Sequence, residues 1–265
     1  MGNQLFQYAF AHLISKKLST KFLLDTNWVP FDLHYFKLKF PYNLFSNGFF
    51  FKVYNYLQKK IRLKKVVENM DCTEDISDFV WTNGTDYIGF FQEGGLYREH
   101  KKELQQLFQI KDNYVKAFEK KYASFLNGKK TVVISVRLGD YRKFGIREYN
   151  NASMLMPLKW YKEQIIPLEK GDYNFFFISD ELETVKKELT VPGKQVFYVE
   201  DSVINQFQLL LNADVCIISN STFAWWGAFL NHKEDAVIIA PKYFCGYLIQ
   251  KEYPKGIQNV DFKWV

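Results

Sequence analysis

No stretch of the sequence approaches the roughly 18 uninterrupted apolar residues that a membrane-crossing helix needs, which predicts a chain without a span. No basic segment leading into an apolar core opens it, so the sequons at Asn83, Asn151 and Asn220 lack a secretory context. Cysteine is scarce: Cys72, Cys216 and Cys245 are odd in number and too widely spaced for a metal cluster or redox pair. They read as reduced, structural thiols, which suits a cytoplasmic protein. No Asp-x-Asp triplet presents paired carboxylates for a metal, and no repeat or low-complexity segment is visible.

What is present is apolar and aromatic. Hydrophobic residues make up 48% of the chain and aromatics 18%, more than a disordered or linker-rich sequence carries. The net charge of +6 rests on 35 basic and 29 acidic side chains, with lysine pairs at Lys59-Lys60, Lys64-Lys65, Lys101-Lys102, Lys120-Lys121 and Lys129-Lys130. Such pairs mark solvated helix faces or meet anionic partners: nucleotide phosphates, lipid headgroups or nucleic acid. Nucleic acid is the weakest of the three, because the aromatics do not alternate with the lysines as a base-stacking surface requires. A peripheral seat at the inner face of a membrane stays open.

Residues 4–18 read as a helix with Leu5, Phe6, Ala9 and Leu13 on one face, and Gly2-Asn3 as the turn before it. Phe22 to Asp25 reads as a short strand. Asn27 to about Ile88 is irregular and aromatic-rich. Helical patterns follow over Leu96 to Leu107 and Tyr114 to Leu126, stopping at Asn127-Gly128. Five strand-length apolar runs come next: Val132–Val136, Phe175–Ile178, Val196–Val199, Val215–Ile218 and Val237–Ala240. Helical windows near Leu158–Leu168, Leu182–Leu189, Val203–Leu211 and Phe223–Leu230 separate them. This alternation predicts an α/β chain with a parallel, doubly wound sheet in a lobe covering 130–265, preceded by an N-terminal lobe over 1–129.

Ligands of such sheets bind beyond the carboxyl ends of the strands. There the sequence places Arg137, Gly139, Asp140, Tyr141 and Arg142, then Ser179, Asp180 and Glu181, then Ser219, Asn220, Ser221 and Thr222. Ser221 and Thr222 at a helix start favour an anion such as a diphosphate, and serve equally as ordinary N-caps. Arg137 suits a phosphate clamp or a salt bridge. Asp140 is spaced to hold that arginine or to take a proton from an acceptor hydroxyl. Trp225 and Trp226 suit core packing or a sugar platform.

The motifs Gly2-Asn3-Gln4-Leu5-Phe6-Gln7-Tyr8-Ala9, Gly89-Phe90-Phe91-Gln92, Phe177-Ile178-Ser179-Asp180-Glu181 and Ser219-Asn220-Ser221-Thr222-Phe223-Ala224-Trp225-Trp226-Gly227-Ala228 resemble glycosyltransferase family 11, the alpha-1,2-fucosyltransferases. The resemblance implies a GT-B-like fold of two Rossmann-like lobes and metal-free, inverting transfer of L-fucose from GDP-L-fucose to the 2-hydroxyl of a terminal galactoside. It makes nucleotide sugar and galactose-containing glycan the partners, in bacterial surface polysaccharide or glycan synthesis. It assigns Arg137 and Asp140 to catalysis, and Asn3, Ser179, Asp180, Asn220, Ser221 and Thr222 to the donor. Ser135 and Gln206 fall on the nucleotide-base side, and Gly2, Gln4 and Trp225 on the acceptor or cleft side.

Three features depart from the family pattern. Ser135-Val136-Arg137-Leu138-Gly139-Asp140 keeps the first Arg and the Asp of His-x-Arg-Arg-x-Asp but has neither its His nor its second Arg. Gln206 stands where an Asp is usual; it accepts one clean bond and carries no charge. The family places a strand and a Gly-rich turn ahead of Gly2, which predicts an N-terminal lobe lacking its first strand. Two other functions fit the same residues: transfer of a different nucleotide sugar, and a catalytically idle carbohydrate-binding or assembly protein. The sequence leaves acceptor and oligomeric state open.

Overall fold

The computed structural model describes residues 1–24, 32–38, 53, 56, 65–69, 72–74, 76 and 79–265. Helix α1, Gly2–Lys17, buries Leu5, Phe6, Ala9 and Leu13 and ends on Lys16 and Lys17, where positive charge complements the helix dipole. Gly2 and Asn3 are its first turn, not a turn before it. Phe22 to Leu24 form no strand, and Asp25 lies outside the described residues, as does most of the irregular region before residue 79.

Strands β1 (Lys65–Asn69) and β2 (Thr85–Gly89) pair in parallel. The expected helix over Leu96 to Leu107 is two helices, α2 (Gly94–Arg98) and α3 (Lys101–Leu107), separated at Glu99-His100. Helix α4, Asp112–Leu126, ends at Asn127.

From β3 (Lys130–Val136) onward the chain alternates as its apolar runs predict. A short antiparallel pair, β4 (Gly145–Ile146) and β5 (Ala152–Ser153), leads to α5 (Leu158–Ile165) and β6 (Tyr173–Ser179). Then come α6 (Leu182–Glu188), β7 (Gln195–Tyr198), α7 (Val203–Asn212), β8 (Val215–Ile217), α8 (Thr222–Phe229), β9 (Val237–Ala240) and β10 (Lys263–Trp264). Six strands form one parallel sheet in the order β10-β9-β8-β3-β6-β7. This is the doubly wound order with its reversal between β3 and β8, where the crevice for a ligand lies.

Alternating side chains feed two apolar layers, as the pleat requires. Val133, Phe176, Cys216 and Ile218 join one cluster with α1, α4, α7 and α8. Val132, Ile134, Phe175, Phe177 and Ile217 join the other with Trp160 and Tyr161 of α5 and Val185 of α6. Helix α8 carries apolar or small side chains around its whole circumference and is accordingly central. Gly227 lets it press on α7: a Cβ there would stand 2.7 Å from the Leu210 side chain. All three cysteines are free and buried. Burial pushes the Cys216 and Cys245 thiols up to about 12.

Candidate active site

Strand register brings the site together. Val136 of β3 pairs with Ser179 of β6, so the next residues, Arg137 and Asp180, emerge side by side. Arg137 Nε lies 3.2 Å from Asp180 Oδ2, and the Leu138 amide donates to Asp180 Oδ1 at 3.0 Å. On the other flank Ile134 pairs with Ile217 of β8, and the Ser219 amide donates to the Ser135 carbonyl at 3.0 Å. The chain leaving β8 therefore turns into α8 at the level where Arg137 begins.

Arg137 also donates through Nε and Nη2 to both oxygens of Asp140, each at 2.9 Å. Burial would lower the guanidinium, but Asp140 and Asp180 together raise it. With both carboxylate oxygens engaged, Asp140 has the geometry of the group that aims Arg137. The 3-10 turn Asp140–Arg142 is pinned by Tyr141, whose hydroxyl donates to the Asn220 carbonyl at 3.0 Å. Burial holds that phenol well above its usual range, so it stays a donor. The Asn220 side-chain amide donates to the Met154 carbonyl at 2.7 Å, while its Oδ1 is buried without a partner among the described residues.

At the start of α8, Ser221 and Thr222 are partly exposed, and the Ser221 side chain makes no capping bond. The positive end of the helix dipole, about half an elementary charge, thus lies beside a partly exposed surface. The start of α1 presses against this point: a Cβ on Gly2 would lie 2.5 Å from Thr222 Oγ1. Two helix starts meet there. Asn3 is exposed beside them and accepts from Gln92 Nε2 at 3.0 Å, joining two of the sequence motifs.

A cleft of about 590 Å³ opens at the ends of β6 and β7, lined by Ser179, Asp180, Thr184, Glu200, Asp201 and Gln206 among others. The Gln206 amide donates to the Asp201 carbonyl at 3.0 Å. Burial would raise the Asp201 carboxyl, but Lys121, Tyr122, the Ser202 amide and Asn205 outweigh it and hold it well below the carboxylate range. Asp201 thereby locks α4 to the cleft wall.

Four residues assigned to the site from the sequence are buried: Gly2, Ser135, Asn220 and Trp225. Trp225 is fully buried, as is Trp226; its ring stacks on Phe229 at 4.8 Å and meets Phe6 at 4.9 Å, because α8 has no polar face to keep it at a cleft. Ser135 is buried within β3 on the Val133 side and does not line the cleft that Gln206 lines. Gln4 accepts from the Asp32 amide at 2.8 Å and so supports the 3-10 turn Asp32–Tyr35. Conversely, the hydroxyl of Tyr141, the Arg142–Glu181 pair and the Asp201 cluster depend on loop paths that no spacing rule encodes.

Among the described residues no group of three or more His, Cys, Asp or Glu side chains is placed to share a metal ion, and no helix is long and apolar enough to cross a membrane. Two curated relatives resemble the whole chain. An alpha-1,2-colitosyltransferase of Escherichia coli is 26% identical over 285 residues, covering 100% of this chain and 95% of the relative. The Escherichia coli O-antigen biosynthesis glycosyltransferase WbnK is 24% identical, covering 93% of each. Among solved structures, the NodZ alpha-1,6-fucosyltransferase soaked with GDP-fucose matches at a TM-score of 0.43 and 12% identity, over 59% of this chain and 55% of its own. The sequence model of glycosyl transferase family 11 matches residues 87–253, from within β2 past Arg137, Asp180 and the start of α8, and the chain belongs to that family.

Proposed function

We propose that this glycosyltransferase is inverting and moves L-fucose from GDP-fucose to the 2-hydroxyl of a terminal galactoside during synthesis of a bacterial surface glycan. The observation that supports this most is that Arg137 leaves β3 beside the turn from β8 into α8, at the reversal between β3 and β8. A fixed guanidinium and a helix start are donors aimed where charge develops on a departing diphosphate. In this reading they neutralise it in place of a divalent cation. Residues 130–265 form the nucleotide-sugar lobe, with Ser179, Asp180 and Gln206 along the nucleotide. Residues 1–129 form the acceptor lobe, with Asn3 at the cleft. In this reading loops within residues 27–88, which lie mostly outside the described residues, read the acceptor. The setting is the cytoplasm, with the lysine pairs available for contact with a membrane's inner face.

A second reading, transfer of colitose, takes its support from the Escherichia coli alpha-1,2-colitosyltransferase that resembles the chain end to end. Calorimetric titration with GDP, UDP and ADP tests the nucleotide: tightest binding of GDP is expected, and tightest binding of UDP overturns the donor. A product assay with GDP-fucose and GDP-colitose on a lactose acceptor then separates the two sugars.

A further inference from the structure

Charge at the carboxyl edge of the sheet does not balance for an anionic ligand. Arg137 is paired with two carboxylates, Asp140 and Asp180. In the cleft beside it Lys121 pairs with Asp201 and Lys186 with Glu183, which leaves Glu181 and Glu200. A diphosphate adds roughly two further negative charges, against which the start of α8 sets about half a positive one. A further cation would lessen this excess of negative charge, and one stands on the same turn.

Arg142 closes the 3-10 turn that begins at Asp140, and Tyr141 fixes that turn to the Asn220 carbonyl at the base of α8. Its side chain is 47% exposed and forms a fork with Glu181, with Nε 3.0 and 3.3 Å from the two oxygens and Nη2 3.0 Å from Oε2. Planar, bidentate pairing of this kind is the geometry in which arginine also takes phosphate. Asp180, which pairs with Arg137, acts by its charge on Arg142 as well. Glu181 is built to let go. It occupies the N-cap position of α6, where the dipole favours its charge, and it accepts from the Thr184 hydroxyl at 3.3 Å. Released from Arg142, it keeps both stabilising contacts.

We propose that Arg142 is the second phosphate-binding cation of the donor site, and that Glu181 is its resident competitor, holding the guanidinium fork until a diphosphate takes its place. This rests on the nucleotide-sugar reading above. It supplies the charge for which Leu138, at the family's second arginine position, offers none.

The test is titration of GDP into the full chain and its variants at two salt concentrations. Arg142→Ala is expected to weaken GDP about tenfold and to flatten the salt dependence, with Arg142→Lys between it and the native protein. Glu181→Gln, which keeps the shape and removes the competing charge, is expected to tighten GDP severalfold, and the double variant to match Arg142→Ala. A pair serving only to brace the loop predicts the opposite sign for Glu181→Gln; weakening in both single variants overturns the proposal. So does unchanged affinity in Arg142→Ala. If Arg142→Ala fails to fold, Glu181→Gln decides by its sign. Failure of the native protein to bind any nucleoside diphosphate overturns the donor reading and the proposal together. Native binding with the wrong sign pattern overturns the proposal alone.

Discussion

Gly2 stands so close to Phe223 that a methyl group on its α-carbon would lie 2.4 Å from the Phe223 amide nitrogen. The neighbouring atoms belong mainly to backbone, which cannot swing aside. Gly2→Ala must therefore push α1 off the start of α8. A loss of about 1–3 kcal/mol in denaturant unfolding is expected, together with weaker GDP binding. Gly128→Ala is the control: its nearest atom, the Ser124 carbonyl oxygen, lies at 3.5 Å, and little change is expected.

Arg137→Ala is expected to lower turnover about a hundredfold to a thousandfold, with an unchanged melting temperature. Arg137→Lys should recover little, because a lysine cannot reproduce the two parallel bonds to Asp140 and the reach to Asp180 at once. Steady-state kinetics with saturating acceptor measure both. Retained activity in Arg137→Ala removes this residue from the donor site.

Trp225→Ala is expected to act on stability. A fully buried indole between Phe6 and Phe229 leaves a cavity when truncated, at a cost of about 3–5 kcal/mol. Urea unfolding reads this directly. A sugar platform would instead show a raised acceptor KM at native stability.

Asp201 gives the protein an acid-sensitive tie. Its carboxyl is depressed below the usual aspartate value of 3.8, so its contribution is complete above that pH and is lost as pH falls through the depressed value. The charged form accepts from Lys121 at 2.8 Å and Tyr122 at 2.7 Å. Asp201→Asn should cost about 1–3 kcal/mol at neutral pH and give a flatter stability profile below pH 4. A profile parallel to the native one would refute the assignment.

The sheet was legible because its strands are buried on both faces: Val215–Ile218 is an unbroken apolar run, and Val132–Val136 is interrupted only by the buried Ser135. Strand β10 has only Lys263 and Trp264 at a sheet edge, too little for a pattern. Gly2-Asn3 looked like a turn because Gly and Asn both favour turns, yet close contact with α8 holds the glycine in a helix. In the site, Arg137 and Asp180 followed from the strand ends. The bond from Tyr141 to Asn220 and the fork of Arg142 on Glu181 depend on how the loop over residues 139–157 travels, which is a tertiary outcome. Trp225 shows the reverse limit, since a motif names a residue without saying which way it points.

The docking of α1 on α8 also sets an order of events during synthesis. Helix α1 leaves the ribosome early, with Leu5, Phe6 and Ala9 ready for burial, while Trp225 and Trp226 are still unmade. Its apolar surface must wait through translation of nearly the entire sheet. Contacts of such long sequence separation close late and slowly. The proposed donor site, which has α1 as one wall, is therefore among the last parts of the molecule to become native, and the nascent chain carries an uncovered apolar helix face until then.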